Sequence, residues 1–408
     1  MKYVIIGNSA AGIGAVEGIR QVDKQGEIII IANEPCHTYS RPLISYLLLG
    51  KVSEEQMKYR GDSFYSENNC SFLYADAAEI DHKLKQVVLA DGRRISYDKV
   101  LIATGSTALV PEFEGLDTIK NRHTFTSYDD AQNLKRALDK NKRVLIIGAG
   151  LIGLKCAEGI SASVANITIL DLAPRILSSI LDDDGAKIVQ IQLENKGIEF
   201  KLSASVRRFE NNTAILDSGE SFEFDILILA MGVRPNSALL NGIAEIDRGI
   251  IINEKSETSV SDIYAAGDCT QTLDAASGQS RIMALLPNAY MQGECAGINM
   301  AGGVKIFDKA IPMNAISFFG LHIITAGNYS GNIYAETKQE QYKRLFYSDN
   351  KLNGYILIGN VEKAGIYTNL IRERTPIDTI DFALICEKPG LMAFTKEDRI
   401  IKLGSEAR

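Results

Sequence analysis

The chain has 408 residues, of which 46% are hydrophobic and 23% are charged, and its formal net charge is −7. A chain of this length is too long for one ordinary hydrophobic core, so we expect two or three globular domains. The acidic total and the lack of a long run of Lys or Arg argue against a nucleic-acid partner.

The first predicted element is a strand followed by a glycine turn and a helix. The apolar run Lys2–Ile6 leads into the turn, and Glu34 closes the next apolar run. Such a turn presents backbone N–H groups and a helix N-terminus to a pyrophosphate, while the acid accepts a ribose hydroxyl. Ser9 replaces the middle glycine and is expected to crowd the pyrophosphate slightly. The turn residues are Gly7, Ser9, Ala10, Ala11 and Gly12.

The next segments predict short strands and a crossing between domains. A polar, tyrosine-rich stretch covers about residues 36–65, and strand-like runs follow at Gln86–Leu89 and at Lys99–Ala103. Pro111, Gly115 and the polar stretch 121–126 indicate a passage into a second domain. Residues 127–138 predict a helix with Ser127 as its N-cap.

The strand, glycine turn and acid then recur. An apolar run from Arg143 ends in a complete Gly-x-Gly-x-x-Gly pattern, and Asp171 follows the next apolar run. One such pattern also occurs in ordinary strand-to-helix turns, but two with correctly spaced acids favour two adenine dinucleotides bound side by side. That arrangement suits hydride transfer between them. The second turn contains Gly148, Gly150, Leu151, Ile152 and Gly153.

The remaining chain predicts a return to the first domain and then a small third domain. A strand near 258–266 ends in Gly267-Asp268, and residues 287–300 predict a helix rich in small residues. From about residue 307 a new pattern begins, with strand-like runs at 342–348 and 354–359 divided by Asp349 and Asn350. About 100 residues suffice for a small domain.

These motifs resemble those of the FAD-dependent pyridine nucleotide oxidoreductases of the two-dinucleotide fold, in the same order over residues 2–300. The resemblance implies an α/β fold with two Rossmann-like domains. It places an FAD domain at 1–108 and 240–306, an inserted NAD(H) domain at 109–239, and a C-terminal α/β interface-type domain at 307–408.

The resemblance also implies which residues contact FAD and NAD(H). Asp268 holds the ribityl chain of the flavin in this family, although an aspartate after a glycine also serves as a helix N-cap. Asp171 is expected to repel a 2′-phosphate and so to favour NAD(H) over NADP(H), although Arg175 weakens this preference. Beyond the two glycine turns, the implied cofactor-binding residues are Glu34, Pro35, Arg41, Pro42, Ala78, Ala103, Thr104, Gly105, Asp171, Gly232, Gly267, Asp268, Pro287 and Ala289.

The segment Tyr39-Ser-Arg41-Pro42-Leu-Ile-Ser45 resembles the stretch of rubredoxin, ferredoxin and nitrite reductase relatives that lies against the flavin ring. Arg41 then stabilises negative charge on reduced flavin, or it is a surface arginine in a turn. Relatives carry a lysine just after this segment and a glutamate after the second glycine turn. Tyr46 and Lys155 stand at those positions and become the predicted catalytic residues; alternatively, Lys155 faces solvent.

Cysteine and histidine usage argues against a redox-active disulfide and against a metal site. Residues 38–69, where a reactive thiol would be expected, contain no cysteine, and no Cys-x-x-Cys pair occurs in the chain. Cys156 and Cys269 are expected to be buried packing residues, and the histidines form no ligand cluster. The scattered cysteines favour a reducing cytoplasm. A first strand beginning at Lys2 leaves no room for a signal peptide, and no apolar stretch is long enough to span a membrane.

The implied function is an NAD(P)H-dependent FAD oxidoreductase that moves a hydride from nicotinamide C4 to flavin N5. Its predicted partner is a one-electron carrier, namely a rubredoxin, a ferredoxin or an iron–sulfur protein, and electrons pass in either direction. The alternatives are an NADH oxidase, a CoA-disulfide or peroxide reductase, and a non-catalytic flavoprotein that acts in interaction or sensing. Both a monomer and a homodimer are compatible with the sequence.

Overall fold

The computed structural model describes residues 1–338, 341–395, 397 and 399. The chain divides into two compact units. The first unit contains residues 1–179, 190–272 and 280–307, and the second contains 180–189, 273–279 and the described residues from 308 onward. The fold is mixed α/β with parallel sheets, as predicted. The described helices are Ala10–Val22, Ile44–Leu48, Phe64–Glu67, Tyr128–Ala137, Leu151–Ile160, Asp183–Glu194, Leu286–Met300, Ala364–Arg372 and Phe382–Glu387.

The first sheet has five parallel strands built from both ends of the first unit. Its central strand, Lys2–Ile6, pairs with Glu27–Ala32 on one side and Lys99–Ile102 on the other. Four of its five residues are buried, which is typical of a parallel strand covered on both faces. In spatial order the strands are Ile263–Ala265, Lys99–Ile102, Lys2–Ile6, Glu27–Ala32 and Cys70–Tyr74.

Two helices of the first unit, Ala10–Val22 and Leu286–Met300, pack with their backbones in close approach. A Cβ added at Gly293 would lie 1.9 Å from the carbonyl oxygen of Ala11, and one at Gly14 would lie 2.3 Å from that of Tyr290. These positions therefore admit only glycine. The contact joins segments that are more than 270 residues apart in the sequence.

The second sheet repeats the parallel arrangement within the same unit. Helix Leu151–Ile160 follows its central strand. Helix Tyr128–Ala137 starts at the predicted N-cap, where Ser127 and Asp130 form a capping box. In spatial order the strands are Ile198–Lys201, Asn166–Leu170, Arg143–Ile147, Ile226–Leu229 and Arg122–His123.

Smaller antiparallel pieces complete the first unit. The strands Ser106–Ala108 and Val233–Pro235 pair with each other, and each follows a strand of a different parallel sheet along the chain. The sequence patterns did not predict two three-stranded antiparallel sheets. Their strands are Ala77–Asp81, Gln86–Leu89 and Arg94–Ser96 in one sheet, and Val206–Glu210, Thr213–Leu216 and Ser221–Glu223 in the other.

The second unit contains a five-stranded antiparallel sheet and the helices Ala364–Arg372 and Phe382–Glu387. Asp349 and Asn350 have φ values of 51° and 60°, so they form the turn that the sequence predicted between two strands. The strands, in spatial order, are Met313–Phe318, Leu321–Gly327, Lys351–Ile358, Gln341–Ser348 and Asn332–Lys338.

None of the helices described is both long enough and apolar enough to cross a membrane. The boundaries of the three-domain division, 1–108 with 240–306, 109–239 and 307–408, stay predictions.

Candidate functional site

The first glycine turn lies at the carboxyl edge of the first sheet. Gly7 has φ of 124°, and a Cβ there would lie 2.0 Å from the carbonyl oxygen of Ala103. Gly12 is held against Gly7 in the same way, with 2.1 Å between an added Cβ and the Gly7 oxygen. Helix Ala10–Val22 starts at Ser9, whose side chain makes no capping hydrogen bond. The turn therefore leaves the N–H groups of the helix N-terminus available to an anion.

The Gly267-Asp268 segment reaches the same turn. A Cβ at Gly267 would lie 3.1 Å from Cβ of Ala11 and 3.5 Å from Cβ of Ala289. The Asp268 carboxylate accepts a 3.2 Å hydrogen bond from the Ser106 hydroxyl. Burial raises the pKa of Asp268, and Ser106 and Arg41 offset part of that rise.

Glu34 is bound by two side chains that come from the segment after it. Arg41 Nη2 lies 2.5 Å from Glu34 Oε2, and the Tyr39 hydroxyl donates to Glu34 Oε1 at 2.8 Å. Burial raises the pKa of Tyr39, which keeps its hydroxyl protonated as a donor. Arg41 also donates to the carbonyl oxygen of Thr126, and Tyr39 accepts from the N–H of Tyr128. The two predicted cofactor residues thus form one cluster.

Two buried polar atoms beside the first glycine turn make no hydrogen bond within the described chain. They are the hydroxyl of Thr38 and Nε2 of His37. The N–H of Thr38 bonds the Tyr65 hydroxyl, which in turn donates to Asn8 of the glycine turn. The first N–H groups of helix Ala10–Val22 have no intrahelical acceptor, and Ser9 does not cap them, so the residues present at this turn fit the pyrophosphate of a dinucleotide.

The second glycine turn reproduces the first in backbone geometry. Gly148 has φ of 115°, and an added Cβ would lie 2.2 Å from the carbonyl oxygen of Ala230. Gly153 closes on Gly148 with a corresponding separation of 2.0 Å. Gly150 differs, because an added Cβ would have no atom of a described residue within 4 Å apart from Gly150 itself and its two chain neighbours. This open space lies where a pyrophosphate approaches a Gly-x-Gly-x-x-Gly turn.

Asp171 is held by backbone donors. Its Oδ2 accepts a 2.6 Å hydrogen bond from the N–H of Ala149, and its Oδ1 accepts a 2.7 Å bond from that of Ala173. The carboxylate therefore fixes the glycine turn. Leu172, the next residue, is 75% exposed.

Lys155 and Tyr46, which the sequence predicted as catalytic, are in contact. The Lys155 ammonium lies 4.4 Å from the centroid of the Tyr46 ring, within cation–π range. It also forms an ion pair with Glu158, one turn further along the helix. Only 16% of the Lys155 side chain is exposed, so it does not reach freely into solvent. Lys155 therefore has a carboxylate partner on its own helix.

Thr104 and Asn236 connect the ends of the two sheets. The Thr104 hydroxyl donates to the carbonyl oxygen of Asn236 at 2.6 Å, and the Asn236 amide donates back to the Thr104 carbonyl at 3.0 Å. Gly105 and Gly232, with φ of 66° and 104°, lie on either side of this connection.

Of the other predicted cofactor-binding residues, the prolines lie near residues already described, whereas Ala78 does not. Pro287 lies in the first turn of helix Leu286–Met300, close to Ala289, while Pro35 and Pro42 flank the Glu34–Arg41 cluster in sequence. Ala78 is exposed and lines a groove of about 430 Å³ formed by residues 78–83 and 238–243. That groove contains none of the glycine-turn residues.

Cys156 and Cys269 are buried, as expected for packing residues. Burial raises the pKa of the Cys269 thiol to about 11 and also raises that of Cys156, so both thiols are poor nucleophiles. Within the part of the chain that the structure describes, no group of three or more His, Cys, Asp or Glu side chains could hold a metal ion.

Several candidate site residues escaped the sequence analysis. Glu158 lies on the helix that follows the second glycine turn, and its burial is visible only in the structure. Gln292 is buried and accepts the N–H of Gly267 at 2.8 Å. Thr38 and Ser106 carry no motif of their own. Their roles depend on contacts between distant segments.

Two family models match the chain. The model described as "Pyridine nucleotide-disulphide oxidoreductase" matches residues 1–293, and the one described as "Rubredoxin NAD+ reductase C-terminal domain" matches residues 312–375. The first match covers most of the first compact unit, and the second lies within the second unit.

Curated relatives align over most of the chain. The epsilon subunit of NADH-dependent phenylglyoxylate dehydrogenase from Aromatoleum evansii is 30% identical over 391 residues, which cover 92% of each chain. Rubredoxin-NAD(+) reductase from Pseudomonas putida is 30% identical over 310 residues, covering 74% of this chain and 80% of that protein.

The fold is shared with solved structures. The structure described as the covalent putidaredoxin reductase–putidaredoxin complex superposes with a TM-score of 0.88 at 22% identity, and the match covers 99% of both chains. This likeness confirms the predicted two-dinucleotide α/β fold.

Proposed function

Because the chain belongs to the pyridine nucleotide-disulphide oxidoreductase family, we propose that it oxidises NADH and delivers the electrons to a small one-electron carrier protein. The chain is an oxidoreductase, and FAD and NAD(H) are the cofactors of its family. The proposed carrier is a rubredoxin, a ferredoxin or another iron–sulfur protein. The match to a rubredoxin reductase C-terminal domain and the relative from Pseudomonas putida support that class.

The contact between Lys155 and Tyr46 carries this proposal. Lys155 stands on the helix of the second glycine turn, whereas Tyr46 belongs to the segment that follows Arg41 and the first glycine turn. A contact between these two segments supports the proposal that the reactive ends of the two dinucleotides meet there. The Thr104–Asn236 hydrogen bonds help to hold the ends of the two parallel sheets together.

The first turn is the proposed FAD site. The N-terminus of helix Ala10–Val22 receives the pyrophosphate, Glu34 accepts from the adenosine ribose, and Asp268 binds the ribityl chain. The cluster of Tyr39 and Arg41 orients Glu34 before any ligand binds, which reduces the ordering cost of binding. When bound, FAD supplies the chemistry, taking a hydride from nicotinamide and releasing electrons singly.

The second turn is the proposed NADH site. Gly150 gives the coenzyme's pyrophosphate close access, and Asp171 places negative charge where a 2′-phosphate would lie, so NADH is the proposed coenzyme. Lys155 donates a hydrogen bond to the nicotinamide carboxamide and, with Tyr46, excludes water from the reacting atoms.

No catalytic thiol is part of this proposal. Cys269 is adjacent to Asp268, but its thiol is buried and points to the backbone carbonyls of Ile102 and Ala266. The scattered cysteines support our proposal that the protein works in a reducing cytoplasm.

Anaerobic stopped-flow spectroscopy tests the function. NADH should bleach the flavin absorbance rapidly, and reoxidation should be fast with a rubredoxin or a ferredoxin and slow with oxygen. Fast oxygen turnover would instead indicate an NADH oxidase, and absence of bleaching would indicate a non-catalytic flavoprotein. Size-exclusion chromatography with light scattering distinguishes the monomer from the homodimer.

A further inference from the structure

Glu158 is a buried carboxylate next to the proposed reaction centre. Its side chain is 3% exposed, and its Oε2 forms an ion pair with the Lys155 ammonium. The same ammonium contacts both the Glu158 carboxylate and the Tyr46 ring. The pair occupies positions i and i+3 of helix Leu151–Ile160, where side chains are neighbours.

The packing around this helix restricts where the two side chains lie. An added Cβ at Gly159 would be 3.1 Å from the carbonyl oxygen of Ser45, so helices Leu151–Ile160 and Ile44–Leu48 are in close contact. A carboxylate buried at such an interface is costly unless a cation pairs with it. Lys155 provides that cation, so removing either member of the pair takes away the ion pair of the other.

A paired lysine acts differently from a lone cation. The charges of Lys155 and Glu158 cancel at a distance, so the pair presents a dipole rather than a full positive charge. We propose that Glu158 is a positioning residue, which holds the Lys155 ammonium against Tyr46 and limits the positive potential at the flavin. The inference rests on the proposed function, because it assumes that Lys155 and Tyr46 face the isoalloxazine.

The pair has a direct consequence for the flavin reduction equilibrium. Replacing Glu158 by the neutral, nearly isosteric Gln removes the carboxylate charge that offsets the Lys155 ammonium, which favours the extra negative charge of reduced flavin. The Glu158→Gln protein should therefore be easier to reduce than the natural one. A carboxylate that only fills space would leave the equilibrium unchanged on the same substitution.

Redox titration of the FAD-loaded protein against a reference dye tests this inference. We expect Glu158→Gln to shift the reduction equilibrium about tenfold toward reduced flavin, which corresponds to about 30 mV for a two-electron couple. The double variant Lys155→Met/Glu158→Gln removes both charges and should return to within about threefold of the natural protein. An unchanged equilibrium in Glu158→Gln, or a shift toward oxidised flavin, would overturn the proposal.

Lys51 provides a matched control. Its ammonium lies 5.8 Å from the same Tyr46 ring, but the residue is exposed. Because solvent screens an exposed charge, Lys51→Met should leave the equilibrium within about twofold of the natural value. An equal effect of Lys51→Met would contradict a special role for the buried pair.

The double variant also keeps the inference testable if Glu158→Gln alone does not fold, because it replaces the pair by neutral side chains of similar size. In that case, a reduction equilibrium more than tenfold from the natural one would overturn the proposal. Stopped-flow reduction of the natural protein decides the proposed function separately. Normal reduction by NADH with an unmoved equilibrium in the variants would reject only the inference about Glu158.

Discussion

The two glycine turns have nearly the same backbone but hold their acids by different means. Side chains bind Glu34, since Arg41 and Tyr39 both reach back to it from a later segment. Backbone N–H groups bind Asp171 and tie it to its own turn. One acid is therefore enclosed by a cluster from outside the motif, and the other is part of a motif that is complete in itself.

The two turns also differ at their middle position. Ser9 places a side chain near the first pyrophosphate position, whereas Gly150 leaves its counterpart open. A site closed by side chains suits a cofactor that stays bound, and an open site built from backbone suits a coenzyme that exchanges in every turnover. This difference supports the proposed assignment of a resident FAD to the first turn and a transient NADH to the second.

The largest expected effect is on stability, and it should separate the tightly packed Gly12 from the open Gly150. Gly12→Ala places a Cβ 2.1 Å from the Gly7 carbonyl oxygen and should lower the free energy of unfolding by about 3 kcal/mol, with loss of bound FAD. Gly150→Ala is the matched control and should keep both FAD and stability while weakening NADH binding. Thermal denaturation and FAD absorbance per chain measure both results; equal losses would remove the distinction.

Lys155→Met should slow flavin reduction by NADH about 10- to 100-fold, roughly 1.4 to 2.7 kcal/mol of activation free energy. The FAD content should be nearly unchanged, because the proposed FAD contacts lie in the other turn. Single-turnover kinetics at saturating NADH measure the rate, with Lys51→Met as the control. A reduction rate equal to that of the natural protein would show that Lys155 has no part in the reaction.

Substitutions of the two acids, Asp171 and Glu34, should affect different ligands. Asp171→Asn weakens one of two backbone hydrogen bonds and should raise the KM for NADH about tenfold, or about 1.4 kcal/mol, while FAD stays bound. Glu34→Gln should release FAD more readily and leave the KM for NADH unchanged in the FAD-loaded fraction. Steady-state kinetics and FAD dialysis give the two readouts; if each variant altered both, the sites would not be independent. A higher kcat/KM with NADPH than with NADH would remove Asp171 from its proposed role.

The smallest expected effect concerns the charge of Asp268. Burial raises its pKa, so the ionised carboxylate lowers the stability of the FAD-free protein above the raised pKa, and the penalty disappears as the pH falls below it. Asp268→Asn should raise the melting temperature of the FAD-free protein by about 2 °C at neutral pH, and the gain should vanish near pH 4.

Asp262→Asn is the control with the opposite sign. Hydrogen bonds from Lys85 and Lys99 hold the pKa of Asp262 below its usual range, so its charge stabilises the folded state at neutral pH. This variant should melt at a lower temperature than the natural protein. A rise in both variants would show that surface charge alone is responsible.

The sequence predicted those features that are local. Both glycine turns, the Ser127 cap and the helix ending at Met300 follow from residues within a few positions of each other, and all are present. The enclosure of Glu34 was not predicted, because Arg41 and Tyr39 carry a motif that resembles a flavin-contacting segment rather than an acid-binding one. Glu158 was missed for another reason: helical spacing shows that it lies one turn from Lys155 but not that the site is buried.

The close packing of helices Ala10–Val22 and Leu286–Met300 has a consequence for synthesis of the chain. The helix that begins at residue 10 buries its glycine face against residues that leave the ribosome nearly 300 positions later. The first sheet cannot close before Ile263–Ala265 is available, whereas the second sheet, with strands from residue 122 to residue 229, is complete much earlier. The segment in the middle of the chain should therefore fold first, and the first glycine turn should wait, as a folding step with high contact order, for the last strand of its own sheet.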